Sequence, residues 1–270
     1  SKQGKENKVS AKLIFAWNSR SISVAISVVL MMQVTYYSTE ILGLASTAVG
    51  TLFLLAKLFD GVTDLVVGFI IDRTNTRLGK ARPYELFIIP LWVLIVAFFS
   101  TPDISTTGKM VYIFITYVLI QSVCSTFLQS CETVFLGRAI QDDVGRAKIM
   151  SIGGVIVMLF SAVSSILLPQ LMANMGTQPG GWSKIALLYA VPMLLIGICR
   201  FIFVKEKPIN QNDENQNRIG FFEGMKLLSK NKYIFILAFL IMLSFLVTNI
   251  TTIVATYYFT FIFGDLGLMS

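Results

Sequence analysis

The sequence contains no histidine and very little charge. Asp, Glu, Lys and Arg make up 14% of its 270 residues, whereas an average soluble domain carries charge on about a quarter of its residues. A water-soluble fold could not cover its surface with so few charged side chains. The absence of histidine removes the commonest general base and proton shuttle, and no nucleophile and base pair with suitable partners is visible. We therefore expect neither an enzyme nor a bound cofactor.

Cysteine is also scarce, and its positions argue against two kinds of site. Cys124, Cys131 and Cys199 all lie inside apolar runs and lack the spacing of metal ligands, so the sequence predicts neither a disulfide framework nor a zinc site. The net charge of +7 does not indicate a nucleic-acid partner, because the basic residues lie between apolar runs and are not interleaved with aromatic residues on one soluble face.

Long apolar runs dominate what is present. Hydrophobic residues make up 55% of the chain, and they fall in runs close to the ~20 residues that span a bilayer as a helix. A cleavable signal peptide is not predicted, because Asn18 and Arg20 interrupt the first run near its start. The sequence thus predicts an all-α integral membrane protein in a lipid bilayer. Its seven predicted spans are residues 13–37, 46–71, 84–101, 110–136, 149–173, 183–204 and 233–263.

The basic residues predict the orientation of the chain, because positively charged short loops remain in the cytoplasm. Of the 22 Lys and Arg residues, only Lys57, Lys109 and Lys184 fall outside the N-terminal segment and the loops on its side of the membrane. Arg20 and Arg200 are counted on that side, and we favour Arg20 as an anchor at the cytoplasmic end of the first helix. We expect a multi-pass protein of the plasma membrane with a cytoplasmic N-terminus.

A polar stretch divides the predicted spans into two groups. Residues 205–232 begin with a run rich in Asn, Gln, Glu and Lys and continue with apolar residues at helical spacing, which suits a short helix on the inner membrane surface. We therefore divide the chain into a six-helix bundle at 1–204, a cytoplasmic linker with an amphipathic helix at 205–232, and the first helix of an incomplete second bundle at 233–270. The apolar face of the linker helix would comprise Phe221, Phe222, Met225 and Leu228.

The second span carries three charged residues on one helical face. Lys57, Asp60 and Asp64 extend over about 10 Å of helix axis. A charge that faces lipid at the bilayer centre costs ~2.5 to 3.5 kcal/mol, so these side chains must face protein or water. A packing site neutralised by Lys57 remains one interpretation. One lysine cannot neutralise two carboxylates, however, and carboxylates one turn apart suit a hard cation such as sodium.

The fourth span carries a polar stripe on an otherwise apolar helix. Interhelical hydrogen bonding explains such stripes in many membrane bundles, and a ligand-binding face is the other interpretation. The stripe consists of Gln121, Ser125, Gln129 and Glu132, with Thr126 and Thr133 alongside.

A loop rich in glycine and arginine follows the second span. It reads GFIIDRTNTRLGKARP from Gly68 to Pro83, and its Asp72 is placed to pair with arginines or with a helix end. The pattern resembles the cytoplasmic loop signature of the major facilitator superfamily, and its GK-x-R-P ending is similar to that of the glycoside-pentoside-hexuronide:cation symporters, the melibiose permease-like branch. The candidate residues of this conformational loop are Gly68, Asp72, Arg73, Arg77, Gly79, Lys80 and Arg82.

The resemblance carries expectations about fold and function. It implies the N-terminal six-helix bundle of a twelve-helix transporter, built from two inverted three-helix repeats, plus a seventh helix, with the missing C-terminal half as its partner. It also implies symport of a sugar, driven by a sodium or proton gradient, and an inactive partial chain. The implied cation site consists of Asp60, Thr63, Asp64 and Thr126, with Asp60 and Asp64 as transient ligands of sodium.

The sugar-binding residues of the branch are not matched. In the melibiose type, an aspartate of the first helix, an aspartate of the fourth and an arginine of the fifth bind sugar hydroxyls, whereas this sequence has Val24, Gln129 and Gly154 there. Gln129, Glu132 and Lys57 are therefore the candidate substrate-binding residues.

Two other functions stay open at this point. The same fold with a non-sugar substrate such as a lysolipid is one, because Val24 and Gly154 lack the sugar-binding groups. A seven-helix membrane receptor is the other, although such receptors place the N-terminus outside, against the charge bias.

Overall fold

The computed structural model describes residues 10–140, 142–206 and 229–264. Apart from an isolated β-bridge between Thr76 and Gly79, the regular structure of these residues is helical, and a 3-10 turn at Arg82–Phe87 precedes the third long helix. A short turn at Met32 and Gln33 interrupts the first helix. The helices are α1 Ala11–Ile41, α2 Ser46–Arg73, α3 Ile88–Phe98, α4 Thr106–Ala139, α5 Asp143–Met175, α6 Gly181–Phe203 and α7 Lys232–Phe263.

The helices confirm the predicted spans, with ends that differ by a few residues. Among the described helices, α1, α4, α5, α6 and α7 are long and apolar enough to cross a bilayer. The 28-residue α2 is long enough but carries Lys57, Asp60 and Asp64. The α-helical part of α3 has only 11 residues, and the 3-10 turn at Arg82–Phe87 extends it at its start, so the third predicted span, 84–101, differs from the structure mainly in its end. Pro83 stands in the 3-10 turn before α3, and Pro102 follows its end, where a helix cannot continue.

The described helices pack around a core of large apolar side chains. α1 lies along α5 and α6, α3 lies along α6 and α4, and α2 packs on α4. Burying a large apolar side chain stabilises the fold by ~1.5 to 3 kcal/mol, so this core fixes the frame that holds the polar residues. Its fully buried members include Leu30, Leu91, Trp92, Ile95 and Leu128.

The last helix lies apart from this core. Every residue of α7 from Lys232 to Ile250 is exposed, and α7 meets α1 near the C-terminal ends of both helices. There Thr256 donates a hydrogen bond to the Gln33 side chain at 3.2 Å. The proposed linker helix at Phe221–Leu228 lies outside the described residues, so the domain boundaries at 204 and 232 stay predictions.

Candidate functional site

A cavity of about 730 Å³ lies between α1, α2, α4 and α7. Cavities of roughly 300 to 1,000 Å³ are typical of small-molecule sites. Side chains of α7 line one side of the cavity, opposite those of α1, α2 and α4. Its polar lining residues are Thr35, Lys57, Asp60, Asp64, Tyr117, Gln121, Ser125, Thr126, Gln129, Ser244, Thr248 and Asn249.

Both carboxylate oxygens of Asp60 have a donor. Nζ of Lys57, one turn earlier on α2, lies 2.7 Å from Oδ2. The hydroxyl of Ser122 on α4 donates to Oδ1. The Asp60 side chain is 18% exposed, whereas that of Lys57 is 59% exposed. Asp60 is therefore the anchored member of the pair, and Lys57 reaches it from the cavity side.

Asp64 is held more loosely. The hydroxyl of Thr126 donates to Oδ1 of Asp64 at 3.1 Å, and Asp64 itself is exposed to the cavity. Within the described ranges, no basic side chain forms an ion pair with Asp64. The two aspartates thus differ: Asp60 forms an ion pair with a lysine, whereas Asp64 faces the cavity and accepts a hydrogen bond from a hydroxyl of α4.

A π turn at Leu119–Ser125 in α4 stands directly opposite these aspartates. In a π turn the backbone hydrogen bonds join residues five apart, and such turns occur frequently at functional sites. Ser122 and Thr126, four residues apart, reach Asp60 and Asp64, which are also four residues apart. The turn therefore aligns two hydroxyls of α4 with two carboxylates of α2.

The oxygen atoms brought together here suit a hard monovalent cation. Carboxylate and hydroxyl oxygens are the ligands that such ions prefer. In the part of the chain that the structure describes, no cluster of three or more His, Cys, Asp and Glu side chains is placed to hold a metal ion. A cation at this position would therefore rest on Asp60 and Asp64, with hydroxyls of α4 completing its shell.

Two residues that were predicted for the site, Thr63 and Glu132, do not line the cavity. The Thr63 hydroxyl donates to the carbonyls of Phe59 and Asp60 at 3.0 Å each and does not line the cavity. Gln129 does line it. Glu132, one turn further on α4, is absent from the cavity wall and belongs to an ion cluster inside the bundle, so its substrate role stays a prediction without support from the geometry.

The ion cluster joins four elements of the bundle. Nε of Arg20 on α1 lies 3.2 Å from Glu85, which stands in the 3-10 turn before α3, and its Nη2 lies 3.0 Å from Glu132 on α4. Nη1 of Arg200 on α6 lies 3.3 Å from Glu132, and its guanidinium lies 3.5 Å from the centre of the Trp17 ring. The cluster contains two arginines and two glutamates, so its formal charges balance, and removing one partner would leave a charge without compensation.

The interpretation of Arg20 as an anchor at the cytoplasmic end of α1 is therefore wrong. Arg20 is 1% exposed and Arg200 is 0% exposed, because Glu85 and Glu132 supply carboxylates inside the bundle. The guanidinium of Arg20 also donates to the carbonyl of Leu128 at 2.8 Å.

The loop after α2 wraps around a glutamate at the end of α6. Glu206 accepts hydrogen bonds from the backbone N–H groups of Lys80, Ala81 and Arg82 at 2.6 to 2.8 Å. Such a row of N–H groups forms an anion-binding nest. Gly79, at φ 119°, brings the backbone so close that a Cβ would collide with the Glu206 carboxylate.

The other predicted loop residues lie outside the contact with Glu206. Nζ of Lys80 lies 3.7 Å from Asp72, and Arg73 stacks on the ring of Phe69 at 3.9 Å. Arg82 donates to the carbonyl of Phe201 at 2.8 Å. Arg77 is exposed, and Gly68 has open space where a Cβ would stand.

The sequence interpretation missed four residues that the structure singles out. Glu85 and Arg200 had an available signal, since a charge inside an apolar run marks a paired site. Ser122 had none, because a π turn leaves no mark on hydrophobic periodicity. Glu206 stood in a segment taken for a linker.

Comparisons with known proteins agree with the resemblance seen in the sequence. The family model of MFS/sugar transport proteins matches residues 21–270. The uncharacterized symporter YnaJ of Bacillus subtilis is 30% identical over 237 residues, which cover 84% of this chain and 49% of that protein. The putative glycoside/cation symporter YagG of Escherichia coli is 33% identical over 181 residues, which cover 66% of this chain and 39% of that protein.

The isoprimeverose transporter of Lactiplantibacillus pentosus is 29% identical over 240 residues, which cover 87% of this chain and 50% of that protein. The chain thus spans about half the length of these relatives, or less. A match over nearly the whole chain, on a bundle of membrane-length helices around a charged cavity, confirms the expected superfamily: the chain belongs to the MFS/sugar transport family.

Proposed function

We propose that this chain forms the cation-binding half of a sugar:cation symporter driven by a sodium or proton gradient. The observation that carries the proposal is the position of Asp60 and Asp64 on the wall of a cavity large enough for a small sugar. Among the described residues, no lysine or arginine forms an ion pair with Asp64. An ion or a proton bound there completes the charge balance.

The substrate that we propose is a glycoside or pentoside. The names of two relatives, a putative glycoside/cation symporter and an isoprimeverose transporter, support this class. The cavity offers the amide groups of Gln121, Gln129 and Asn249 and the ammonium of Lys57, and such groups bind sugar hydroxyls by hydrogen bonds. The remaining wall would come from the second half of the transporter.

Transport requires that the two bundles alternate access to this cavity. In the described conformation α7 meets α1 near the C-terminal ends of both helices, where the Tyr257 hydroxyl lies 2.6 Å from that of Thr39. The residues of α7 from Lys232 to Ile250 are exposed. We place the protein in the plasma membrane with a cytoplasmic N-terminus, on the strength of the basic residues that face that side.

The test is a pair of substitutions, Asp60→Cys and Asp64→Cys, in the complete transporter that contains this chain. Both are expected to abolish sugar accumulation driven by a cation gradient, while sugar binding measured without a gradient largely survives. Asp103→Cys is the matched control, because Asp103 pairs with Lys109 in an exposed loop outside the cavity. If both variants accumulate sugar with the wild-type dependence on sodium and pH, the proposal is wrong.

A further inference from the structure

The contact between Lys57 and Asp60 uses an oxygen that a bound cation would also need. Nζ of Lys57 lies 2.7 Å from Oδ2 of Asp60, and the Ser122 hydroxyl is bound to Oδ1. Each oxygen of Asp60 therefore already has one partner, although a carboxylate oxygen can accept from two. A sodium ion held between Asp60 and Asp64 that binds Oδ2 would share this oxygen with the ammonium and lie close to its positive charge, whereas the serine hydroxyl can stay, because its lone pairs also serve as ligands.

The lysine side chain is the one that can leave. It is 59% exposed, lines the cavity, and has a flexible four-carbon stem with three rotatable donors. Ser122 is 0% exposed and has no room to move. Two positive charges on one carboxylate repel each other, so a cation that binds at Asp60 weakens the hold on the ammonium.

We propose that Lys57 is a tethered competitor of the coupling cation. Its ammonium occupies Asp60, the arriving sodium ion displaces it, and the freed ammonium turns into the cavity to donate hydrogen bonds to sugar hydroxyls. This inference rests on the proposed function. It explains in structural terms how a cation would raise the affinity for sugar: the ion converts a lysine from an ion-pair partner into a substrate ligand. By reciprocity, sugar would raise the affinity for the ion by the same factor.

The first measurement follows the lysine itself. The complete wild-type transporter, purified in detergent, is treated with formaldehyde and cyanoborohydride in sodium chloride or in choline chloride, and methylation of each lysine is quantified by peptide mass spectrometry. Methylation of Lys57 is expected to rise several-fold with sodium, because its amine leaves Asp60. Lys109, which pairs with Asp103 outside the cavity at 2.8 Å, is expected to react equally in both salts.

The second measurement uses Lys57→Gln, with Lys109→Gln as the matched control that removes an ion pair of the same kind. Lys57→Gln is expected to bind sodium about fivefold more tightly, because its competitor is gone, and to lose most of the sodium effect on sugar affinity. Lys109→Gln is expected to change neither. Lys57→Arg keeps the charge and tests whether the competition is restored.

Two results would overturn the inference. One is a methylation of Lys57 that stays constant while the wild-type protein binds sodium. The other is a wild-type protein that binds no sodium. If the wild-type protein binds no sodium but a proton gradient drives its sugar uptake, only the inference about Lys57 is wrong and the proposed function stands. If sugar uptake responds to neither sodium nor protons, both the inference and the proposed function are wrong.

Discussion

Replacing Arg200 with methionine tests how much the buried ion cluster stabilises the bundle. Arg200 is 0% exposed and lies 3.3 Å from Glu132 and 3.9 Å from Glu85. Removing one partner of a buried ion pair typically costs 3 to 5 kcal/mol, because a charge remains buried without compensation. The lost stacking on Trp17, at 3.5 Å, adds about 0.5 to 2 kcal/mol.

Two features reduce this sum. The Glu132 side chain is 36% exposed, so water reaches it, and Arg20 remains in contact with both glutamates. We therefore expect Arg200→Met to lower the free energy of unfolding by about 3 kcal/mol, near the lower end of the range. At about 2 to 4 °C per kcal/mol for a domain of this size, the melting temperature falls by about 6 to 12 °C.

The assay is thermal unfolding of the purified protein in detergent, followed by intrinsic fluorescence. Arg146→Met is the matched control, because Arg146 pairs with Asp143 at the exposed start of α5 and such pairs contribute at most about 1 kcal/mol. The double variant Arg200→Met with Glu85→Gln restores the charge balance, so its loss is expected to be smaller than the sum of the two single losses. Melting of Arg200→Met within 2 °C of the wild type, or strictly additive losses, would refute the reasoning.

Three further predictions concern other parts of the molecule. With the native cysteines replaced, Ile104→Cys is expected to react with an impermeant maleimide on intact cells and Asn75→Cys is not; the reverse labelling would overturn the orientation. Gly79→Ala is expected to lower the melting temperature by several degrees, because a Cβ collides with Glu206 and the backbone has φ 119°. Thr126→Val is expected to weaken cation affinity severalfold without loss of folded protein, as measured by sodium titration, since it removes the hydroxyl on Asp64; an unchanged dissociation constant would exclude that role.

The sequence was sufficient for what depends on single helices. Apolar runs located the helices, and the spacing of Lys57, Asp60 and Asp64 predicted that they share one face, because helical geometry fixes it. What it could not predict depends on pairs of helices. The sequence favours an anchor role for Arg20, because a long arginine near a helix end commonly extends to the interface, and only tertiary packing brings Glu85 and Glu132 to it.

The same limit applies to the proposed cation site. The prediction of Asp60 and Asp64 needed only one helix, and Thr126 came from the resemblance. Ser122 depends on the π turn, which shifts the facing residues of α4 by one position and is invisible in a pattern of apolar and polar letters. Thr63 lies next to the aspartate yet bonds to its own helix, because a threonine hydroxyl readily caps a carbonyl four residues earlier.

The π turn also makes one side chain of α4 depend on a single extra residue. A π turn contains one residue more than the α-helical turn that it replaces, so deleting one residue within Leu119–Ser125 would leave an α-helical turn, and the segments of α4 before and after it would keep their orientations. Only the side chains inside the turn would be displaced. Deletion of Val123 would then disturb Ser122 at Asp60 while Thr126 stayed against Asp64. The extra residue thus governs one half of the proposed cation site without altering the frame of the bundle.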